Sequence, residues 1–171
     1  MPTFYLALEP PSYQRTRLAR VMRQLGDRSP LPHITVIPPR GLGPDLSWLP
    51  PARSAVAHCQ PVTVALGSVS TFHDRVLYLS VTAIGLDNLH RRLVDALREV
   101  VDHGTDVDAR DFVPHLTLAV ARRHRTLPPY DGVVALLGDL PPFETGEVTV
   151  CRRDGQSDHY RAWQRLALGT G

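Results

Sequence analysis

The chain has 171 residues, 43% of them apolar, with 19 basic and 17 acidic side chains for a net charge of +2. That length holds one domain with a sizeable core, and the near balance of charge excludes a general nucleic-acid coat protein while leaving room for a local basic patch. Two cysteines in a chain of this size imply reduced thiols rather than a disulfide framework; no apolar run reaches the length of a membrane span, and no basic region precedes the apolar residues at the start, so a cytoplasmic protein without a signal peptide is expected.

Phe4 to Leu8 reads as a strand, closed by Glu9-Pro10-Pro11. Ser12 is placed to cap a helix with the stripe Leu18, Val21, Met22 and Leu25, stopped by Gly26. His33 to Ile37 is a strand ended by Pro38-Pro39, and Asp45 is placed to cap a short helix running through Ala57. Pro61 to Leu66 and Val76 to Val81 alternate as strands around a polar turn. Leu86 to Val101 is the clearest helix, with Leu86, Leu89, Leu93, Leu97 and Val100 along one side. A charged loop from His103 to Asp111 leads into a further strand at His115. After Pro128-Pro129 come a short helix near Val133 to Leu137 and closing strands near Glu147 to Arg152 and His159 to Leu168. Mixed helices and strands with turn-rich connections and no long linker make one α+β domain.

Two of these strands carry the same pentapeptide. Pro32-His33-Ile34-Thr35-Val36 returns as Pro114-His115-Leu116-Thr117-Leu118. At this composition one such match is expected by chance only about 0.004 times per chain, so a matched pair is not accidental. A strand turns alternate side chains to opposite faces. Each His therefore shares a face with its Thr, and the aliphatic residues point the other way. Two imidazoles near neutral pH form an acid and base pair, because one can be neutral while the other is charged. A hydroxyl two residues along the same face can donate to the group under attack. Phosphate esters suit this set, having oxygens that need donors and a leaving oxygen that needs a proton. No metal is required for such chemistry. A lone HxT would be read as a half-buried strand histidine; the duplication is what favours chemistry.

The other histidines do not join in. His90 flanks the apolar stripe of the long helix and reads as a packed helix residue, while His58, His73, His103, His124 and His159 sit in or beside polar turns. None has the spacing of a helical metal pair. Gly41-Leu42-Gly43 lacks the Lys and hydroxyl of a phosphate loop, and there is no GxSxG elbow. All 19 basic residues are arginine, a side chain that grips phosphate as a planar fork.

With both motifs read, the chain resembles the two-histidine (2H) phosphoesterase superfamily. It is most similar to the branch called 2′-5′ RNA ligase or RNA 2′,3′-cyclic phosphodiesterase. Besides the motifs, the resemblance rests on Phe4-Tyr5-Leu6-Ala7-Leu8-Glu9-Pro10 and on Phe72 with Arg75-Val76-Leu77-Tyr78. It continues through Arg110-Asp111-Phe112-Val113 before the second motif and Tyr160-Arg161-Ala162-Trp163 near the end. It implies a bilobal α+β fold with pseudo-twofold symmetry across residues 1–171: two small antiparallel-rich sheets backed by helices around a central cleft. It also implies that His33 protonates the departing 3′-oxygen, that His115 activates water, and that Thr35 and Thr117 hold the phosphate. From the residues alone the two histidines are formally equivalent. Where the family often carries an Arg, five residues after the second His, this chain has Val120. Arg110, Arg122 and Arg123 lie nearby as substitutes for the phosphate clamp, and Phe72 is a core aromatic or a stacking surface for a base.

The implied activity is metal-independent hydrolysis of RNA or nucleoside 2′,3′-cyclic phosphates to 2′-phosphates. The alternatives are end joining at the same site and a non-catalytic module that binds RNA ends or nucleotides. The expected partners are RNA ends or cyclic nucleotides bound by a monomer, with no cofactor, metal or membrane.

Overall fold

A computed structural model describes residues 1–28, 30–39, 42–101, 112–121, 127, 130–155, 157 and 159–169, and only the backbone of Tyr130 and Asp131. In chain order the elements are β1 (Thr3–Leu8), α1 (Ser12–Gln24), β2 (Ile34–Ile37), α2 (Leu49–Ala57), β3 (Val62–Phe72), β4 (Val76–Ile84), α3 (Leu86–Leu97), β5 (His115–Val120), α4 (Tyr130–Leu137), β6 (Phe143–Thr145), β7 (Glu147–Arg153) and β8 (Arg161–Ala167). The strands lie in the order β6-β3-β4-β5-β2-β1-β7-β8, and each pairing among the described residues is antiparallel. Two four-stranded halves meet at the centre, where β2 and β5 join through one register pair, Ile34↔Leu116. The two expected sheets are thus one sheet with a one-pair waist.

The halves repeat each other at the level of register. In one, Leu8↔Ile34 and Ala7↔Thr35 are followed by a slip that sets Leu6 against Ile37. In the other, Leu79↔Leu116 and Tyr78↔Thr117 are followed by the same slip, setting Leu77 against Ala119. The extra residue follows the motif threonine in both copies, Val36 in one and Leu118 in the other. Such a bulge bends its strand and re-aims the neighbouring side chains. Ile34 and Leu116, which separate His from Thr in each copy, are partners across the waist, so the pseudo-twofold axis passes between them.

Apolar residues from every helix and every strand merge into one core. It includes Leu18, Leu89 and Val133 from the helices, Trp48 at the start of α2, and Leu6, Ile34, Leu79 and Leu116 from the sheet. A smaller cluster of Tyr5, Ala7 and Cys151, with Leu31 and Tyr160 packed on it, lies apart. It holds the β1 residues of opposite parity to Phe4, Leu6 and Leu8, and so marks the other face of the sheet.

Several boundaries differ from the sequence reading for local reasons. Ser12 is the first helical residue of α1, and the cap position is Pro11, with no side-chain cap. Helix α2 starts at Leu49 rather than near Asp45, because Pro50 and Pro51 fit the first turn, where no N–H is needed. Helix α3 ends at Leu97, which leaves Val100 beyond it and exposed. β3 runs on to Phe72, and the three-residue strand β6 is too short to show alternation. The loop His103–Asp111 and Pro128-Pro129 lie outside the described residues, as do His103 and His124.

Candidate active site

The waist brings the two motifs together. Extending the Ile34↔Leu116 register by one residue each way sets His33 opposite Thr117 and Thr35 opposite His115. Residues directly opposite on antiparallel strands stand about 5 Å apart at Cβ. Each imidazole therefore neighbours the hydroxyl of the other copy, and four polar side chains form a square on one face. His33, Thr35 and Thr117 line a groove of about 1010 Å³. His115 lies on the face of Thr117, and its charge acts on His33.

Both rings are held alike. His33 donates Nδ1–H to the Leu31 carbonyl at 2.5 Å, and His115 donates Nδ1–H to the Val113 carbonyl at 2.8 Å. A carbonyl can only accept, so Nδ1 carries the hydrogen and Nε2 is left for proton transfer in each ring. Aromatic rings pack beside each histidine. Tyr5 lies against His33 with centroids 4.8 Å apart. Phe72 and Tyr78 stack at 4.0 Å, and both set their rings edge to face with His115. Phe72 is thus a half-buried part of the site wall rather than a core aromatic.

The surroundings of the two copies are unequal. Burial lowers the His33 pKa, against the opposing influence of the Leu31 carbonyl and the Glu9 carboxylate. Behind His33, Tyr5 packs with Cys151 in the smaller cluster, and burial pushes the Cys151 thiol up to about 12. Cys59 is raised by burial as well. Both free cysteines are buried and protonated near neutral pH, as packed thiols rather than nucleophiles.

Of the expected clamp residues, Arg110, Arg122 and Arg123 lie outside the described residues. Val120 lines the groove, as does Arg28 from the turn after α1. Among the described residues, no group of three or more His, Cys, Asp or Glu side chains is placed to hold a metal, and no helix is long and apolar enough to cross a membrane. Sequence reading missed Tyr5, Tyr160 and Glu9 as neighbours of the site. The signal was the period of two along β1, which puts Tyr5, Ala7 and Glu9 on one face.

Twin HxT strands meeting across a pseudo-twofold waist define a two-histidine architecture. The chain belongs to the 2′-5′ RNA ligase superfamily, whose family model matches residues 7–157. Its fold is similar to that of TT0787 from Thermus thermophilus, with a TM-score of 0.69 at 19% identity over 99% of this chain and 100% of that one. It is also similar to Escherichia coli LigT, solved in complex with 3′-AMP, with a TM-score of 0.65 at 22% identity over 99% of both chains. LigT in complex with NADP+ gives a TM-score of 0.64 at 20% identity over 98% of both. No curated protein matches the chain.

Proposed function

We propose that this protein is a metal-independent phosphodiesterase, one two-lobed unit across residues 1–171, that opens RNA or nucleoside 2′,3′-cyclic phosphates to 2′-phosphates. The observation that carries this reading is the reciprocal register at the waist, which sets each imidazole beside the other copy's hydroxyl. In the proposed reaction His115 Nε2 takes a proton from water as its oxygen attacks phosphorus. The bond from phosphorus to the 3′-oxygen breaks, and His33 Nε2–H protonates that oxygen. Thr35 and Thr117 donate to the non-bridging oxygens, where negative charge builds up. Arg110 and Arg122 remain the proposed clamp residues. The two imidazoles supply both proton transfers, so the reaction needs no Lewis acid. LigT has been solved with 3′-AMP, ATP and NADP+, and phosphate-bearing nucleotides in a similar fold support a nucleotide or RNA end as the ligand here.

The test offers chelator-treated protein a 2′,3′-cyclic mononucleotide and an oligonucleotide with a cyclic end. The expected product is a 2′-phosphate, and the expected rate profile is bell-shaped in pH, because one imidazole must be neutral and the other charged. Activity lost in chelator and restored by a divalent ion would sink the metal-free mechanism. Binding without turnover would make the protein a nucleotide-binding module. A joined product with a 5′-hydroxyl strand would make it a ligase.

A further inference from the structure

We infer that Glu9 is the positioning carboxylate that sets His33, and not His115, as the proton donor, an inference that rests on the phosphodiesterase reading above. The register places it. Leu8 pairs with Ile34, so the next position outward sets Glu9 opposite His33, on the face that carries Ala7 and Thr35. The same step in the other half sets Ser80 opposite His115. At the counterpart of Glu9 the pseudo-twofold thus offers a hydroxyl instead of a charge. That half also has little space there, since a Cβ added to Gly67 would meet the Ser80 Oγ at 2.5 Å.

Glu9 is an unusual carboxylate for a surface strand end. Its side chain is only 7% exposed; it pairs with Arg15 of α1 and lies 3.6 Å from Arg165 of β8. Arg165 in turn pairs with Glu147 at 3.1 Å. The pairs hold the carboxylate in place, and of these charges the carboxylate is the one that acts on His33. Burial lowers the His33 pKa overall, and the carboxylate works against that by favouring imidazolium, the form that can donate a proton. Among the described residues, Tyr5 from β1 and His115 from β5 also face His33. Along the groove are Asp27 and Arg28 after α1, with His159 and Tyr160 before β8.

Glu9→Gln removes the charge and keeps the shape, and the sign of its effect depends on the role of His33. If His33 is the donor, kcat/KM falls about tenfold per unit of lost His33 basicity at and above neutral pH, and the loss fades in acid, where the ring is protonated anyway. If His33 were the base, the same substitution would leave the alkaline side unchanged and raise the rate in acid. That result overturns the inference. A scaffold role alone would give the same fractional loss at every pH, which also overturns it. NMR titration of the His33 ring gives a second readout independent of turnover. Its midpoint should drop in Glu9→Gln and hold in Glu9→Asp, which also serves if the glutamine variant folds poorly. An unmoved midpoint in Glu9→Gln rejects the inference. Wild-type protein that turns over neither cyclic substrate would instead reject the phosphodiesterase reading, before any Glu9 variant is made.

Discussion

At the scale of single residues, the threonines and histidines of the waist make separable demands. Each Thr shares a face with its own His and stands opposite the other. Replacement by Val keeps the branched shape and removes the donor, while replacement by Ser keeps the donor and loses only a methyl. Loss of one electrostatic donor costs about 2 to 4 kcal/mol of transition-state stabilisation. Thr35→Val and Thr117→Val should therefore lower kcat/KM far more than the Ser variants, with thermal stability measured alongside. Equal losses for Val and Ser would show that packing of the methyl matters and the hydroxyl does not. His33→Ala and His115→Ala should each reduce turnover by about 10²- to 10⁴-fold. Both variants should still fold, because Ile34 and Leu116 keep their places in the core. Near wild-type turnover in either would end the two-histidine mechanism.

Among the elements, α3 does more than cover the sheet. His90 is buried on its inner side, donates Nδ1–H to the Val36 carbonyl at 2.8 Å, and stacks on Phe112 at 3.9 Å. Val36 is the bulge residue of the first motif and Phe112 precedes the second, so one imidazole braces both. His90→Leu leaves the Val36 carbonyl buried without its donor, a cost of about 1 to 3 kcal/mol. His90→Asn, with an amide near the Nδ1 position, should recover part of it. Urea unfolding measures both; equal destabilisation would mean that the hydrogen bond to the bulge is idle. Much of this architecture was legible in the sequence. The repeat located both motif strands, the stripe from Leu86 to Leu97 located α3, and the spacing put His90 beside the stripe. The register slips were not legible, since a slip is defined only against a partner strand, and the sequence does not say which residues pair. Glu9 was hidden for the same reason: it read as the end of β1, and its role comes from standing opposite a residue 24 positions away.

For the whole molecule, buried titratable groups bound the pH range of stability on both sides. Burial holds His33 and His90 below their ordinary 6.5. The unfolded chain takes up protons at about that pH while the folded chain refuses them, so stability falls as pH drops below about 6.5. On the alkaline side burial raises Cys59 and Tyr5 and pushes Cys151 up to about 12, from an ordinary 9.0 for the thiols and 10.0 for Tyr5. Here the unfolded chain releases protons that the folded chain keeps, so stability falls as pH rises above about 9. The stability maximum should lie between these limits, with urea midpoints lower at about pH 5.5 and about pH 10 than at about pH 7.5, and with m values unchanged. Cys151 alone accounts for a loss on the order of 1 kcal/mol at pH 10 by this linkage. Cys151→Ala should therefore lower stability at neutral pH through lost packing, yet flatten the decline from pH 7.5 to 10. A decline as steep in Cys151→Ala as in the parent protein would remove Cys151 from the alkaline limit and leave it to Cys59 and Tyr5.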